Sequence, residues 1–493
     1  MGSLFKDNRE FFDALEKYGL GVRIKDEVSP RDIGCMTRYA CEYRAAAPLF
    51  ENIKNYPDRK VFGNPLAHMR RLALTFGIDP SLPYVELVDK IQSFLAERMK
   101  PEKLVKPKEV SDAPCKENIV KKDVDLYKIV PPVIIHGGDG APKIATWHGI
   151  IAKDPNTGWT NVGMYRGELI SKDMLAIYFA SVQDIASIFR EYEKQGKDMP
   201  TAISIGGGPI EMFLAQARVP AQTDEYDVAG ALMGEPLEVV KCETNDLLVP
   251  ACSEIVLEGR ILANKRIPEG PFGEYTGYRV AERSWRALFK VDCVTYRNNP
   301  WLTISNMGMA VDDAGVAWTI GLAARVKRKL DEEGIPYRAV HIPPECNGLV
   351  IIVQADPTFA ITPRIAKNVF GISSIESYSS VLIVVPPEYD IFNPWHMLHA
   401  IASRCNPAEN KIIVYRSYSS PLIPWLSPEQ RKAGGDQTDK IVFDCIWPLR
   451  WPFHEVPIIA TWKNELLYPK EVQEKTEKLA KKYGLDRECE VKK

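Results

Sequence analysis

The chain has 493 residues, 45% of them hydrophobic, and its 63 Lys and Arg against 65 Asp and Glu leave a formal net charge of −2. At roughly 100–200 residues per domain that length exceeds one ordinary core and fits about three. The near-neutral balance argues against nucleic acid or an anionic membrane surface as partner. No apolar run approaches the roughly 20 residues needed to cross a bilayer, and the opening MGSLFKDNREFF lacks the basic and apolar regions of a signal peptide, so a cytoplasmic protein acting on a small molecule is expected.

Residues 8–18 are amphipathic and 84–99 carry apolar residues at helical spacing, which predicts a small α/β domain over 1–115. Residues 100–120 combine prolines with clustered charge and read as a linker. From about 122 short β-type runs separated by turns follow, at 144–152, 237–241, 254–257 and 288–296, predicting a β-barrel or sandwich domain over 116–310. Between them, 174–195 has the spacing of helices and 202–209 (AISIGGGP) is a strand ending in a glycine turn. After Gly308 a helix at 317–330 and apolar strands at 349–353 and 381–385 predict a third, α/β domain over 311–493 that ends in a polar helix, 470–483. That last helix is either solvated or laid across a partner subunit.

The ten cysteines are scattered without a Cys-x-x-Cys and read as reduced thiols. His396 and His399 lack a third ligand for a metal. Three other segments hold chemistry. Pro268 to Tyr278 (PEGPFGEYTGY) places Glu269 and Glu274 around glycines and prolines that exclude a helix interior, so two acids share a rigid loop, as general acid/base work requires. Taken alone, a turn with two solvated acids is the commoner explanation. In Trp159 to Arg166 (WTNVGMYR), Asn161 and Arg166 lie an odd number apart, so a bulge is needed to bring both to one side of a strand. Gln222 to Asp227 (QTDEYD) is an acidic cluster that offers oxygen ligands to Mg²⁺ or Mn²⁺, or else a helix N-terminus.

Together these segments resemble the UbiD family, and within it the ferulic and cinnamic acid decarboxylase branch. Order and spacing also agree at Ala113 to Asn118, Lys241 to Leu247, Ser253 to Gly259, Thr295 to Asn299 and Ser403 to Pro407. The resemblance implies an α/β (α+β) fold with a central split β-barrel that binds prenylated FMN, and a reversible, non-oxidative decarboxylation of an aromatic or α,β-unsaturated acid. It also implies a flavin prenyltransferase to supply the cofactor, and a homodimer or homohexamer. It puts the family's Glu-Arg-Glu network on Glu269, Arg166 and Glu274, with Glu274 as the proton donor. The cofactor contacts fall on Asn161, Val162, Gly163, Met164, Tyr165, Arg166, Gln183, Asp184 and Glu225. Of these, Asn161, Asp184 and Glu225 are the implied ligands of Mn²⁺ or Mg²⁺, with K⁺ as an additional ion.

Three departures stand out. Asp184 occupies the family's histidine position, and a carboxylate there favours hard divalent ions. The stretch Ile372 to Ser377 lacks the branch's lysine near the flavin. Ser420 stands where the cinnamate enzymes have an aromatic ring, so a pocket formed by Tyr275, Ser420 and Leu422 is expected to admit a bulkier acid: polycyclic, heteroaromatic, or an aryl group on a coenzyme A thioester. The competing readings are an FMN oxidoreductase and a non-catalytic subunit of a carboxylase assembly.

Overall fold

The computed structural model describes residues 5–483 and 485, apart from 182, 218, 220–222, 280, 281 and 310. Its N-terminal unit opens with the helix Asn8–Lys17, started by Asp7, whose carboxylate accepts the Arg9 and Glu10 N–H groups. Phe11, Phe12 and Leu15 on that helix are fully buried, as their spacing on one face requires. The strands Gly21–Ile24, Ala47–Phe50 and Lys60–Gly63 form its sheet. A fourth strand, Trp301–Ile304, lies parallel to Lys60–Gly63. That segment precedes the boundary expected at 310, yet it is hydrogen-bonded into the N-terminal sheet.

Among the described residues the central sheet has nine strands, running in order from Lys143–Ala145 through Gly167–Ser171, Met174–Ile177, Ser284–Tyr296, Ile255–Glu269, Met199–Ile205 and His148–Lys153 to Thr160–Gly163, with Asn118–Val120 paired on Ser284–Tyr296. It is curled and split between its first and last strands. The short runs expected at 254–257 and 288–296 are parts of two long strands of 15 and 13 residues. Register shifts at Glu258/Gly259 and Ile261/Arg266 bend this pair. Charged residues on the solvent side beyond 261 hid the continuation of the first strand from an apolar-run criterion.

Two further expectations change. The stretch 174–195 is helical only over Asp184–Lys194, while Met174–Ile177 is a strand; a short apolar run such as MLAI does not distinguish the two by periodicity. The linker at 100–120 is not free: Lys108–Glu109 pairs with Glu238–Lys241, and Asn118–Val120 with the long strand 284–296. Short edge pairings of this kind have no hydrophobic signature. The C-terminal unit is a five-stranded sheet ordered Ala339–His341, Val350–Gln354, Val381–Val385, Asp436–Asp444, Ile412–Ser419, packed with the helices Asp313–Glu332, Ile361–Phe370, Ser373–Tyr378 and Pro394–Arg404. The polar helix Lys470–Tyr483 buries no residue against the rest of the chain.

The N-terminal unit is fastened to the central one at Gly34, in the helix Pro30–Glu42. A Cβ there would lie 2.2 Å from the Ile134 carbonyl oxygen and 2.3 Å from that of Ile135. The carbonyls of Gly34 and Ile135 both accept from the buried Asn306 amide, at 2.8 and 2.7 Å, so neither can move aside alone. Alanine would gain about 1 kcal/mol of helix propensity but force an overlap with two backbone carbonyls costing about 2–3 kcal/mol, the upper part of the range for overpacking. Gly34→Ala is therefore expected to lower stability by about 1–2 kcal/mol. A melting temperature equal to or above that of the natural protein would show that this junction yields.

Candidate active site

The strand Thr160–Gly163 stops at Gly163, the chain turns through Met164, Tyr165 and Arg166, and a new strand begins at Gly167. This turn, rather than a bulge, brings Asn161 and Arg166 to the same cavity. It is held from two sides. The Met164 N–H donates to the Ala215 carbonyl at 2.9 Å. The ring of His148, fully buried and pushed down to about 4 by burial, is neutral and donates Nε2–H to the Tyr165 carbonyl at 2.9 Å. The tyrosine ring folds back so closely that a Cβ on Gly163 would lie 2.3 Å from its hydroxyl.

Arg166 faces two carboxylates. Its Nε and Nη2 each donate to one oxygen of Glu269 at 2.9 Å, a bidentate fork, and Nη1 donates to Glu274 Oε1. Glu269 is the last residue of the strand Ile255–Glu269, whereas Glu274 lies in the loop beyond it; the two acids expected on one loop are thus held by different elements. Burial tends to raise the Glu269 carboxyl, but Arg166 and then Lys143 outweigh it and hold the group below its ordinary value. Burial works against the Arg166 charge too, yet Glu274 and Glu269 keep the guanidinium firmly protonated.

Several members of this cluster escaped the sequence. Lys143 donates to Glu168 and, at 3.2 Å, to Glu269 Oε1; Glu168 in turn accepts the Gly270 N–H at 3.0 Å. Arg286 reaches to 3.8 Å from Glu269 and lies over the Tyr178 ring, 4.0 Å from its centroid. Arg166 stands on the same ring at 4.4 Å and against Phe272 at 5.1 Å. The alternation of Glu168 with Arg166 across a strand start was the one available signal.

The cavity has a volume of about 390 Å³ and is lined by the whole run Asn161 to Arg166, by Gln183, Asp184 and Glu225, and by Phe272, Glu274 and Tyr275. The Asn161 amide contacts Glu225 Oε1 at 3.3 Å and accepts the Tyr165 hydroxyl at 3.1 Å, while Glu225 Oε2 takes the Val162 N–H at 3.0 Å. Burial pushes the Glu225 carboxyl up to about 8, against the pull of that N–H, and the nearby Asp224 and Asp184 add to the rise. Two carboxylates and an amide, with so much negative charge confined, are a donor set suited to a hard divalent cation. Among the described residues no three His, Cys, Asp or Glu side chains are grouped so as to hold a metal ion, and Gln222 of the acidic cluster lies outside those residues. Gln183 turns its side-chain oxygen onto the Ala180 N–H at 2.6 Å, closing the turn that leads into Asp184.

The C-terminal unit supplies the remaining wall, through Trp318 and Arg325 on the helix Asp313–Glu332, and Ser373, Tyr378 and Leu422. Tyr275, Trp318 and Tyr378 pack edge to face, with centroids 5.2, 5.9 and 5.6 Å apart. Ser420 does not line the cavity. Its hydroxyl accepts the Leu422 N–H at 3.4 Å and its own N–H donates to the Ser377 carbonyl. The glycines 206–208 also lie away from the lining.

Residues 107–310 match the model described as the 3-octaprenyl-4-hydroxybenzoate carboxy-lyase Rift-related domain, 12–91 the N-terminal domain of that enzyme family and 317–445 its C-terminal domain. The pyrrole-2-carboxylic acid decarboxylase of Pseudomonas aeruginosa is 28% identical over 97% of this chain and 98% of its own length. A phenolic acid decarboxylase of Sedimentibacter hydroxybenzoicus is 30% identical, over 87% of this chain and 90% of its own. Among solved structures, the closed form of the vanillic acid decarboxylase of Sedimentibacter hydroxybenzoicus superposes with a TM-score of 0.83 at 28% identity, covering 97% of this chain and 99% of that one. The UbiD-class enzyme HmfF of Pelotomaculum thermopropionicum, in complex with FMN, gives 0.80 at 27% identity over 92% and 97%. With all three domains present in order and relatives matched over nearly their full length, the chain belongs to the UbiD family of decarboxylases.

Proposed function

We propose that the protein acts in the cytoplasm as a reversible, non-oxidative decarboxylase of an aromatic, heteroaromatic or α,β-unsaturated acid, with prenylated FMN as cofactor and Glu274 as proton donor. The observation that supports this best is the Glu269–Arg166–Glu274 chain, of which Arg166 and Glu274 line the same cavity as Asn161, Asp184 and Glu225. The run Asn161 to Arg166 with Gln183, Asp184 and Glu225 would hold the flavin, and Asn161, Asp184 and Glu225 would hold Mn²⁺ or Mg²⁺, K⁺ being a further candidate. A flavin prenyltransferase would supply the cofactor. A homodimer or homohexamer fits the C-terminal arm, where Leu449, Trp462 and Leu466 are 57%, 48% and 63% exposed and offer a second copy an apolar surface.

When bound, prenylated FMN supplies an acceptor for the electron pair that CO₂ leaves on an sp² carbon, which no side chain can hold. The protein's own groups bind and protonate. Arg166 uses three of its five N–H groups on the two glutamates and has two left to orient an incoming carboxylate. Glu269, kept ionised by Arg166 and Lys143 and absent from the cavity lining, is a poor donor to substrate. Glu274 lines the cavity and touches only one arm of the guanidinium, so its carboxyl is the one placed to give a proton to the carbon after CO₂ departs. Flat rings suit the wall formed by Tyr275, Trp318 and Tyr378; the case for a bulkier acid no longer rests on Ser420.

Protein co-produced with an active flavin prenyltransferase should release prenylated FMN, identified by its mass; plain FMN or no flavin would overturn the cofactor assignment. On the fastest substrate of a panel including ferulate, pyrrole-2-carboxylate and a two-ring aryl acid, Glu274→Gln should lower kcat by about 10²–10⁴-fold. Undiminished turnover would remove Glu274 from the proton path. For the metal, one unit charge about 4 Å from another is worth ~1 kcal/mol in water and ~4 in a partly buried site. Asp184→Asn should therefore weaken Mn²⁺ binding to FMN-loaded protein by more than about tenfold, followed by electron paramagnetic resonance; equal affinity would leave Asp184 outside the ligand set.

A further inference from the structure

Behind the Arg166 fork stands a second ion pair for which the proposed chemistry has no direct use. Lys143 is completely buried, and so is Glu168. The ammonium bridges Glu168 and Glu269 and lies 5.0 Å from the Phe272 centroid. Glu168 also holds the Gly270 N–H, the first amide of the loop that carries Glu274. Two charges taken fully out of water gain little net stability over an apolar pair of similar volume. Their geometry, however, settles where Glu269 points. With Oε1 shared between Lys143 and Arg166 Nε, and Oε2 on Arg166 Nη2, the carboxylate cannot rotate, and Nη1 is left turned toward Glu274.

We propose that Lys143, seated by Glu168, is a positioning residue for the decarboxylation: it locks Glu269 against Arg166 and thereby aims the guanidinium at Glu274. The reaction it serves rests on the reading given above. Glu269 is faced by Lys143 from the strand Lys143–Ala145, by Arg166 from the turn after Gly163, and by Arg286 from Ser284–Tyr296. Glu274 and Glu168 lie behind these cations, Tyr178 between the two guanidiniums, and Arg283, half exposed, 3.7 Å from Glu168. The buried set is thus two cations, Lys143 and Arg166, against three carboxylates. Loss of Lys143 leaves Glu168 without its buried cation and Glu269 with a weaker hold.

The test compares the full chain with Lys143→Met and with Lys143→Met/Glu168→Gln, the second removing the stranded acid so that the protein folds where the single variant does not. In the cofactor-free proteins, infrared difference spectra against matched Glu269→Gln proteins read the pH at which Glu269 protonates. That pH should rise by about one unit or more in Lys143→Met, because a depressed carboxyl loses one of its cations, and by a smaller but measurable amount in the double variant, where loss of the Glu168 charge offsets part of it. In loaded enzyme, kcat should fall by about 10–100-fold while KM changes little, as expected for a misplaced group. A purely structural lysine would lower the melting temperature and move neither the protonation pH nor the kcat of the folded protein, and that result overturns the proposal. A shifted Glu269 in a chain whose natural form decarboxylates no acid would uphold the lock on Glu269 and sink the decarboxylase reading instead.

Discussion

A guanidinium taken almost out of water sets the terms for everything around it. Arg166 is only 11% exposed at its side chain, and desolvating an ion of this kind costs several kcal/mol unless fixed counter-charges meet it in good geometry. Glu269 meets that condition through a two-bond fork, and Glu274 takes the third N–H. Removing Arg166 would leave Glu269 and Glu274 as buried carboxylates without that shared cation, at a cost of about 3–5 kcal/mol. The fold responds accordingly. The strand Ile255–Glu269 delivers one acid rigidly, the Met164–Arg166 turn is clamped by the Ala215 carbonyl and the His148 ring, and aromatic faces from Tyr178 and Phe272 shield the cation.

Which residues are legible in the sequence depends on how local their signals are. Glu269 and Glu274 flank glycines and a proline that exclude a helix interior, and Arg166 closes a strand-like run at odd spacing from Asn161, so their side chains attract notice in the sequence. Lys143 and Glu168 each appear as a single charge at the edge of an apolar run. Their meaning depends on partners 25 and 126 residues away, which no local pattern encodes. Ser420 failed for a related reason. A residue type at a position says what volume is lost, but only the turn geometry says whether that volume faces the cavity, and here it faces Leu422 N. Helix starts such as Asp7 and the apolar strands of the C-terminal sheet were legible because capping and burial are local properties. The parallel pairing of Trp301–Ile304 with Lys60–Gly63 was not, since it joins residues some 240 apart.

The three units converge at the start of the helix Asp313–Glu332. The buried carboxylate of Asp313 accepts the Leu66 N–H from the N-terminal unit and the Ser305 hydroxyl at 2.9 Å, while Asp312 caps the helix through the Gly315 N–H at 2.7 Å. Burial pushes the Asp313 carboxyl up to about 7, yet both of its oxygens are occupied by donors, so the carboxyl itself is buried and paired. From this anchored end the helix carries Trp318 and Arg325 into the cavity.

That arrangement separates two tasks. The central unit owns the acids, the arginine and the oxygen donors, from its sheet, its loops and the starts of the helices Asp184–Lys194 and Glu225–Met233, and the proposed chemistry requires them to keep one geometry. The wall opposite comes from side chains of the C-terminal unit, Trp318, Tyr378 and Leu422, whose exchange would, on the proposed reading, alter the space offered to a substrate without removing a buried charge. One methylene in an apolar pocket is worth about 1–3 kcal/mol of discrimination, while an unpaired charge in the fork costs more than that. Selectivity can therefore drift along the C-terminal wall while the Glu269–Arg166–Glu274 chain stays fixed. The edge-to-face packing of Tyr275 on Trp318 and Tyr378 is where the two regimes touch, because Tyr275 follows Glu274 directly and any ring that displaces it pulls on the acid.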